Sequence, residues 1–140
     1  LNNNGSQWLL QQFLAELMQN QVFYTHLGKL ACNYAARLAL LRDGLSALFP
    51  EGKIDGATAG LHLSLRIDWS PDVIAKLRQR CLQAGVRFDT LQEIENGSET
   101  AWRQKNSDAV MFFGFGGLQV PHLRKVLNVL EQERCALLQQ

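Results

Sequence analysis

The sequence predicts an α+β domain in which helices pack against a small antiparallel or mixed sheet of about three to four strands. Apolar residues recur at helical spacing from Trp8 to Leu48. Alternating apolar and polar residues at Gly60–Ile67, and an apolar run at Ala109–Phe115, are typical of strands. The strand at Gly60–Ile67 is therefore the first part of a sheet onto which the helical half of the chain can fold.

The composition excludes several classes of function. With 140 residues, 46% of them hydrophobic, the chain is long enough for one domain with a substantial core. Its net charge of +1 is too small to indicate binding to DNA or to an anionic membrane. No apolar run reaches the roughly 20 residues of a membrane span, and the first residues lack the pattern of a signal peptide. We expect a cytoplasmic protein that does not bind a membrane.

Two helices are predicted before the first strand. The first follows Ser6, a candidate N-cap, and ends where polar residues at Gln19–Gln21 interrupt the apolar pattern. The second is the longest, with apolar residues three and four apart from Leu27 to Leu48. The polar run Glu51–Thr58 is interpreted as a connection to the strand.

The strand at Gly60–Ile67 has two different faces. Its apolar residues Leu61, Leu63, Leu65 and Ile67 are predicted to face the core, and His62, Ser64 and Arg66 the opposite side. The run Ala109–Phe115 is expected beside it in the middle of the sheet. Because that run is apolar throughout, we expect it to be covered on both faces.

The remaining elements are predicted from their end signals. Ser70 and Pro71 are typical of a helix start, and Gly85 of a helix end. A short strand is predicted to begin at Val86–Phe88.

A polar run and a last helix complete the chain. Glu95–Ser107 is interpreted as a mobile excursion between two strands. Pro121 is predicted to open the last helix, with Arg134 on its polar side.

Residue spacing indicates no catalytic or metal site. Cys32, Cys81 and Cys135 lie far apart in helical patterns, so we interpret them as buried or half-buried free thiols. The five lysines fall on polar helix faces or in loops, and none has the apolar setting of a Schiff-base lysine. His62 and Arg66 share a strand face with Ser64 and are weak candidates for contact with a substrate or an interface.

Four parts of the chain carry a resemblance to a known family. They are His26–Arg37, Ala57–Leu63, Ala84–Val86, and Phe113–Phe115 with Leu118. Their order and spacing resemble the carboxyl-terminal part of the aminotransferase-like domain in MocR-type regulators of the GntR superfamily. In that family an amino-terminal winged helix-turn-helix is joined to a domain of the class I pyridoxal-phosphate aminotransferase fold.

The resemblance implies that the chain is a carboxyl-terminal fragment of an effector-sensing domain without a complete active site. Residues 1–22 would form a helix that bridges to a missing large domain, and residues 23–140 the small domain of the aminotransferase fold. The fragment alone would be neither an enzyme nor a cofactor-binding protein. Pyridoxal phosphate would belong to the parent, DNA would bind only through the missing winged helix, and the chain would form a homo-oligomer. The absence of an initiator Met fits this expectation.

The chain departs from the family pattern at one position. Aminotransferases of this fold hold the substrate carboxylate with an arginine on the strand that corresponds to Ala109–Phe115, and here Phe112 aligns with that arginine. Phe112 therefore joins His62 and Arg66 as a weak substrate-binding candidate, and the departure favours a regulator with an altered effector. Two alternatives stay open: the small domain of a true class I aminotransferase, and an independent α+β binding module.

Overall fold

The computed structural model describes residues 6–56, 60–90 and 109–139, with side chains from Trp8 onward. The predicted excursion at Glu95–Ser107 lies outside the described residues. The chain divides into two compact units. The first ends at Ala35 and the second begins at Ala36. Each unit is described in turn.

The first unit consists of helix α1, Ser6–Gln19, and the beginning of helix α2, Gln21–Leu48. Asn20 separates the two helices, and its side-chain oxygen accepts a hydrogen bond of 3.0 Å from the backbone N–H of Val22. A side-chain acceptor at this position satisfies one of the free amides at a helix start. The predicted interruption at Gln19–Gln21 is therefore confirmed, whereas the capping role of Ser6 stays a prediction.

Many large apolar side chains of the first unit are exposed. None of its described side chains, from Trp8 to Ala35, is buried. Trp8, Phe13 and Met18 are among the exposed large hydrophobic residues of the chain. The expected bridge from residues 1–22 to a large domain stays a prediction.

The second unit contains a four-stranded sheet. Its strands are β1, Lys53–Asp55; β2, His62–Ile67; β3, Asp89–Thr90; and β4, Ala109–Gly114. The spatial order is β1-β2-β4-β3, and every neighbouring pair is antiparallel. The predicted fold class, α+β with a small sheet and packed helices, is confirmed, as is the central position of β2 and β4.

Helices cover one face of this sheet. The end of α2, helix α3 at Pro71–Gln83 and helix α4 at Val120–Leu138 contribute core residues such as Leu45, Leu77 and Leu130. The sheet contributes Leu63, Leu65, Ile67, Met111 and Phe113. The predicted phase of β2 is confirmed from Leu63 to Ile67, because buried apolar residues alternate with exposed or half-buried ones along the strand. The prediction was wrong for Leu61, which precedes β2 and is 39% exposed.

The ends of α3 match their sequence signals. Ser70 accepts a hydrogen bond of 3.4 Å from the Val73 backbone N–H, and Pro71 occupies the first turn. After the helix, Gly85 adopts a φ of 81°, which a residue with a side chain rarely adopts. Helix α4 has Gln119 at its N-cap without a side-chain cap.

Two strand predictions were wrong in position. The polar connection at Glu51–Thr58 contains β1, which pairs with β2. The short strand expected from Val86–Phe88 instead occupies Asp89–Thr90, whereas Val86 and Phe88 are buried just before it. Val86 and Phe88 are therefore buried in alternation although they are not part of a strand. An alternating sequence pattern alone does not distinguish this arrangement from a strand that pairs in a sheet.

Arg134 does not lie on a simple polar face. Its guanidinium carbon is 5.4 Å from the ring centroid of Phe49 and 6.0 Å from that of Trp69. Its Nη2 also lies 3.6 Å from a carboxylate oxygen of Glu51. A guanidinium over aromatic faces is attracted by the ring quadrupole, so Arg134 holds α4 against Phe49, just after α2, and Trp69, two residues before α3.

Candidate functional site

The sheet face opposite the core carries the three candidates for substrate contact, His62, Arg66 and Phe112. We call it the open face; it comprises His62, Ser64 and Arg66 of β2, Val110, Phe112 and Gly114 of β4, and the neighbouring Lys53, Asp55 and Asp89. No residue of this face is buried. The expectation that Ala109–Phe115 is covered on both faces was therefore wrong for the described part of the chain. Met111 and Phe113 are buried, but Val110 and Phe112 are only half-buried.

Ser64 and Phe112 form the middle row of the open face. They are directly paired across β2 and β4, with Asp55 beside Ser64 and Asp89 beside Phe112. The Ser64 hydroxyl donates to the backbone oxygen of Asp55 at 3.5 Å, which is at the limit of a hydrogen bond. The hydroxyl has no basic partner in this contact, so it is not activated as a nucleophile.

Arg66 lies at one end of the open face. It is paired with Lys53 on one side and Val110 on the other, which places two cations next to each other. Its Nη2 is 3.7 Å from a carboxylate oxygen of Asp55, and both side chains are nearly half exposed. Such a solvated ion pair holds the arginine only weakly, at about 0 to 1 kcal/mol. The guanidinium therefore remains able to exchange Asp55 for another anion.

His62 lies at the opposite end of the open face. It is paired with Gly114, and a Cβ at that glycine would be 3.3 and 3.4 Å from the imidazole Cδ2 and Nε2. The missing side chain of Gly114 thus leaves room for the ring. His62 and Arg66 are four positions apart along the strand, a distance of about 13 Å. The two side chains cannot act on the same atom, but they can contact opposite ends of one extended ligand.

The open face therefore fits binding better than catalysis. It presents a guanidinium, an imidazole, a hydroxyl and the half-buried Phe112 ring on one side of the sheet. Among its described residues, no nucleophile is in hydrogen-bond contact with a base. Sequence reasoning missed Lys53, Asp55 and Asp89, because β1 was interpreted as a connection and β3 was placed earlier. The alternation of Lys53, Ile54 and Asp55 was the one signal that could have indicated β1.

The described lysines do not fit covalent attachment of pyridoxal phosphate. Lys29, Lys53, Lys76 and Lys125 are all exposed. An amine that forms a Schiff base needs a lowered pKa, which burial or a neighbouring cation provides. Lys53 is beside Arg66, but it lies on a solvated strand edge. No catalytic step through that cofactor is therefore assigned to these residues.

The three cysteines differ in environment. Burial, with a smaller contribution from the Glu133 carboxylate, raises the pKa of the Cys81 thiol to about 11. Cys32 and Cys135 are exposed, so the expectation of burial was wrong for these two. Within residues 6–56, 60–90 and 109–139, no three potential ligands among His, Cys, Asp and Glu cluster in a way that could hold a metal ion.

Comparison with known proteins adds no assignment. No protein-family model matches the chain, and no curated protein matches it significantly. Over the described part of the sequence, none of the helices has both the length and the apolar character needed to cross a membrane.

Proposed function

We propose that this chain is the carboxyl-terminal small domain of a pyridoxal-phosphate aminotransferase-like, effector-sensing domain in a cytoplasmic MocR-type regulator. The observation that carries the proposal is the order of elements after α2. The described residues of the segments behind the family resemblance fall on α2, at the start of β2, at the end of α3, and at the end of β4. After α2 the described chain continues through two strands, a helix, two strands and a helix. From β2 onward this is the strand, helix, strand, strand and helix expected of that small domain, and β1 is an additional strand before it.

The open face supports sensing over transamination. Its middle position on β4 is Phe112, an aromatic ring where the related enzymes hold the substrate carboxylate with arginine. Arg66 is the guanidinium on the neighbouring strand, and it lies 3.7 Å from Asp55. An effector that meets this face would stack on Phe112 and place an anionic group near Arg66, and it would be bound rather than converted.

The coding sequence upstream of Leu1 distinguishes this proposal from its alternatives. We expect it to encode a winged helix-turn-helix followed by a large domain that contains the cofactor lysine. A large domain without a winged helix would identify a true aminotransferase instead. An open reading frame that starts immediately before Leu1 would contradict both and favour an independent binding module.

Reduction with borohydride tests whether the lysine that binds pyridoxal phosphate lies in this chain or elsewhere in the parent protein. After incubation with pyridoxal phosphate and reduction, we expect the mass of the 140-residue chain to be unchanged, because its described lysines are solvated. The parent should gain one pyridoxyl group on a lysine outside residues 1–140. A control reduced without cofactor corrects for background. A stoichiometric adduct on one lysine of the short chain would contradict the proposal.

A further inference from the structure

Two cations lie directly opposite each other at one end of the open face. Lys53 of β1 is paired with Arg66 of β2, and both residues are exposed. Directly opposite residues of an antiparallel pair point to the same face with Cβ atoms about 5 Å apart, and like charges in this position are destabilising. An anion that lies between the two side chains relieves this repulsion.

Asp55 neutralises only part of this charge. One of its carboxylate oxygens is 3.7 Å from Nη2 of Arg66, and both side chains are nearly half exposed. No described acidic residue forms an ion pair with Lys53. Two cations and one carboxylate leave a single positive charge in excess, which one carboxylate group of a ligand would balance.

An aromatic surface lies next to these cations. Phe112 is paired with Ser64 and is therefore the diagonal neighbour of Arg66 across β2 and β4. Diagonal neighbours are about 7 to 8 Å apart, which is within reach of long and aromatic side chains. The Phe112 side chain is half-buried, so part of its ring can contact a flat apolar group.

We propose that Lys53 and Arg66 form a carboxylate-binding site, which Asp55 occupies when no ligand is present, and that its ligand is an aromatic monocarboxylate. The ligand carboxylate lies between the two cations, and the ligand ring stacks on Phe112. A guanidinium can hold a carboxylate through two parallel hydrogen bonds, which is a stronger contact than the ion pair with Asp55. This inference rests on the proposed function, because it names the class of effector that the open face senses.

The rest of the open face argues against a ligand with several anionic groups. On the β3 side of Phe112, Arg87 is already ion-paired with Asp89 at 3.2 Å. His62 is about 13 Å from Arg66 along the strand. Among the described residues of the open face, a second anionic group therefore finds no unpaired cation near the first. This favours a monocarboxylate over a dicarboxylate or a phosphorylated ligand.

Titration of the 140-residue chain with phenylacetate tests the proposal, with backbone amide shifts in NMR spectra as the readout. We expect saturable shifts centred on β1, β2 and β4 and a dissociation constant of roughly 1 mM or lower. Phenylacetamide lacks the charge and acetate lacks the ring, so each should bind at least about fivefold more weakly. Acetate that binds equally well, shifts confined to α1 and the start of α2, or no saturation at about tenfold higher concentration would each overturn the proposal.

Two pairs of matched variants identify the site. Arg66→Gln and Lys53→Gln each remove one cation of the site and should weaken the binding of phenylacetate roughly 5- to 10-fold, as expected for the loss of a charged hydrogen bond. Arg42→Gln and Lys76→Gln remove the same charges from exposed positions of α2 and α3. Because solvent and salt screen distant charges, these two variants should change the dissociation constant less than about twofold. Equal effects within each pair would overturn the proposal.

Asp55→Asn gives a readout of the opposite sign. It removes the carboxylate that competes for Arg66 and keeps the size of the side chain, so the affinity for phenylacetate should rise by up to about fivefold, equivalent to one exposed ion pair. If Asp55 served only to hold β1 against β2, its replacement would leave the affinity unchanged or lower it. Either result would overturn the proposal.

Phe112→Leu tests the aromatic contact. The variant keeps an apolar side chain without the ring, so it should weaken the binding of phenylacetate roughly fivefold and leave that of acetate unchanged. Thermal unfolding of each variant shows that the chain still folds. A loss of affinity that is equal for phenylacetate and acetate would contradict stacking on Phe112.

Failure of this inference is distinguishable from failure of the proposed function. If the sequence upstream of Leu1 encodes a winged helix and a large domain but the chain does not bind phenylacetate, only the carboxylate site is overturned. If the chain binds phenylacetate but its reading frame starts immediately before Leu1, the site stands and the proposed regulator is overturned.

Discussion

Two parts of the same helix show how the two units differ. Leu41 and Leu45, near the end of α2, are 1% and 0% exposed, whereas Leu27, near its beginning, is 43% exposed. All three belong to one continuous apolar pattern at helical spacing. The pattern therefore specifies which side of the helix will be apolar, but the surrounding chain decides whether that side is covered.

The same difference in burial distinguishes the two units as a whole. Among the described residues, every buried hydrophobic side chain lies between Leu41 and Leu130, and thus in the second unit. Hydrophobic burial is the main favourable term in folding, so the free energy of unfolding of the monomer should reside in this unit. The first unit should unfold locally at little cost until its apolar surface is covered.

Truncation of one leucine in each unit should give the largest contrast. Leu63 is fully buried in β2, so Leu63→Ala should lower the free energy of unfolding by about 2 to 5 kcal/mol. Leu10→Ala removes the same atoms from an exposed position of α1 and should change it by less than about 0.5 kcal/mol. Urea denaturation at concentrations that favour the monomer measures both.

Ser64→Ala is the internal control for β2. Its side chain faces the open side of the sheet and makes one long hydrogen bond to Asp55, so the change should be small. Equal losses for Leu63→Ala and Ser64→Ala would mean that the strand has the opposite phase. Equal losses for Leu63→Ala and Leu10→Ala would mean that both units share one core.

The cysteines provide a second contrast. The raised pKa of Cys81, from its ordinary value of 9.0 to about 11, means that the folded state keeps the proton more tightly than the unfolded state does. This contribution is therefore complete below about pH 9 and is lost as the pH rises through 11. We expect the free energy of unfolding to fall by about 2 to 3 kcal/mol over this interval.

The comparison with Cys81→Ala separates the contribution of the Cys81 thiol to stability from that of other groups that titrate at alkaline pH. The variant should show a shallower fall between pH 9 and pH 11, whatever its stability at neutral pH. In the native protein a thiol reagent should label Cys32 rapidly and Cys81 only on unfolding, since Cys32 is exposed and Cys81 is buried. Parallel pH curves for the two proteins would show that the thiol makes no such contribution.

The helix caps should give the smallest contrast. Ser70→Ala removes the hydrogen bond to Val73 at the start of α3 and should cost about 1 kcal/mol of cooperative stability. Asn20→Ala removes the matching bond to Val22 at the start of α2, outside the core. It should reduce helical circular dichroism without moving the urea midpoint of the monomer. A shift of similar size for both variants would show that the start of α2 unfolds together with the core.

The sequence was sufficient for elements whose signals are local. The break at Asn20, the start of α3 at Ser70 and Pro71, and its end at Gly85 follow from capping and backbone preferences that depend on a few residues. The phase of β2 also follows from alternation alone. These predictions needed no knowledge of what the elements pack against.

The rest depends on partners that lie far apart in the sequence. Strand β1 has one apolar residue, Ile54, and is a strand because it pairs with β2. The run at Val110 and Phe112 is apolar on both sides, yet the described helices cover only one. The sequence could indicate individual residues of the candidate site, but not that they form one surface. Ser64 and Phe112 are neighbours only because of the register between β2 and β4.

The short outer strand β1 limits how further strands can be added at its edge of the sheet. Strand β1 has three residues, and two of them, Lys53 and Asp55, are charged. Edges that are short and charged are poor templates for the addition of further strands, which is the route to fibrils. Chains that meet at high concentration should therefore add strands poorly at the β1 edge, even though the central strands of the sheet are strongly apolar.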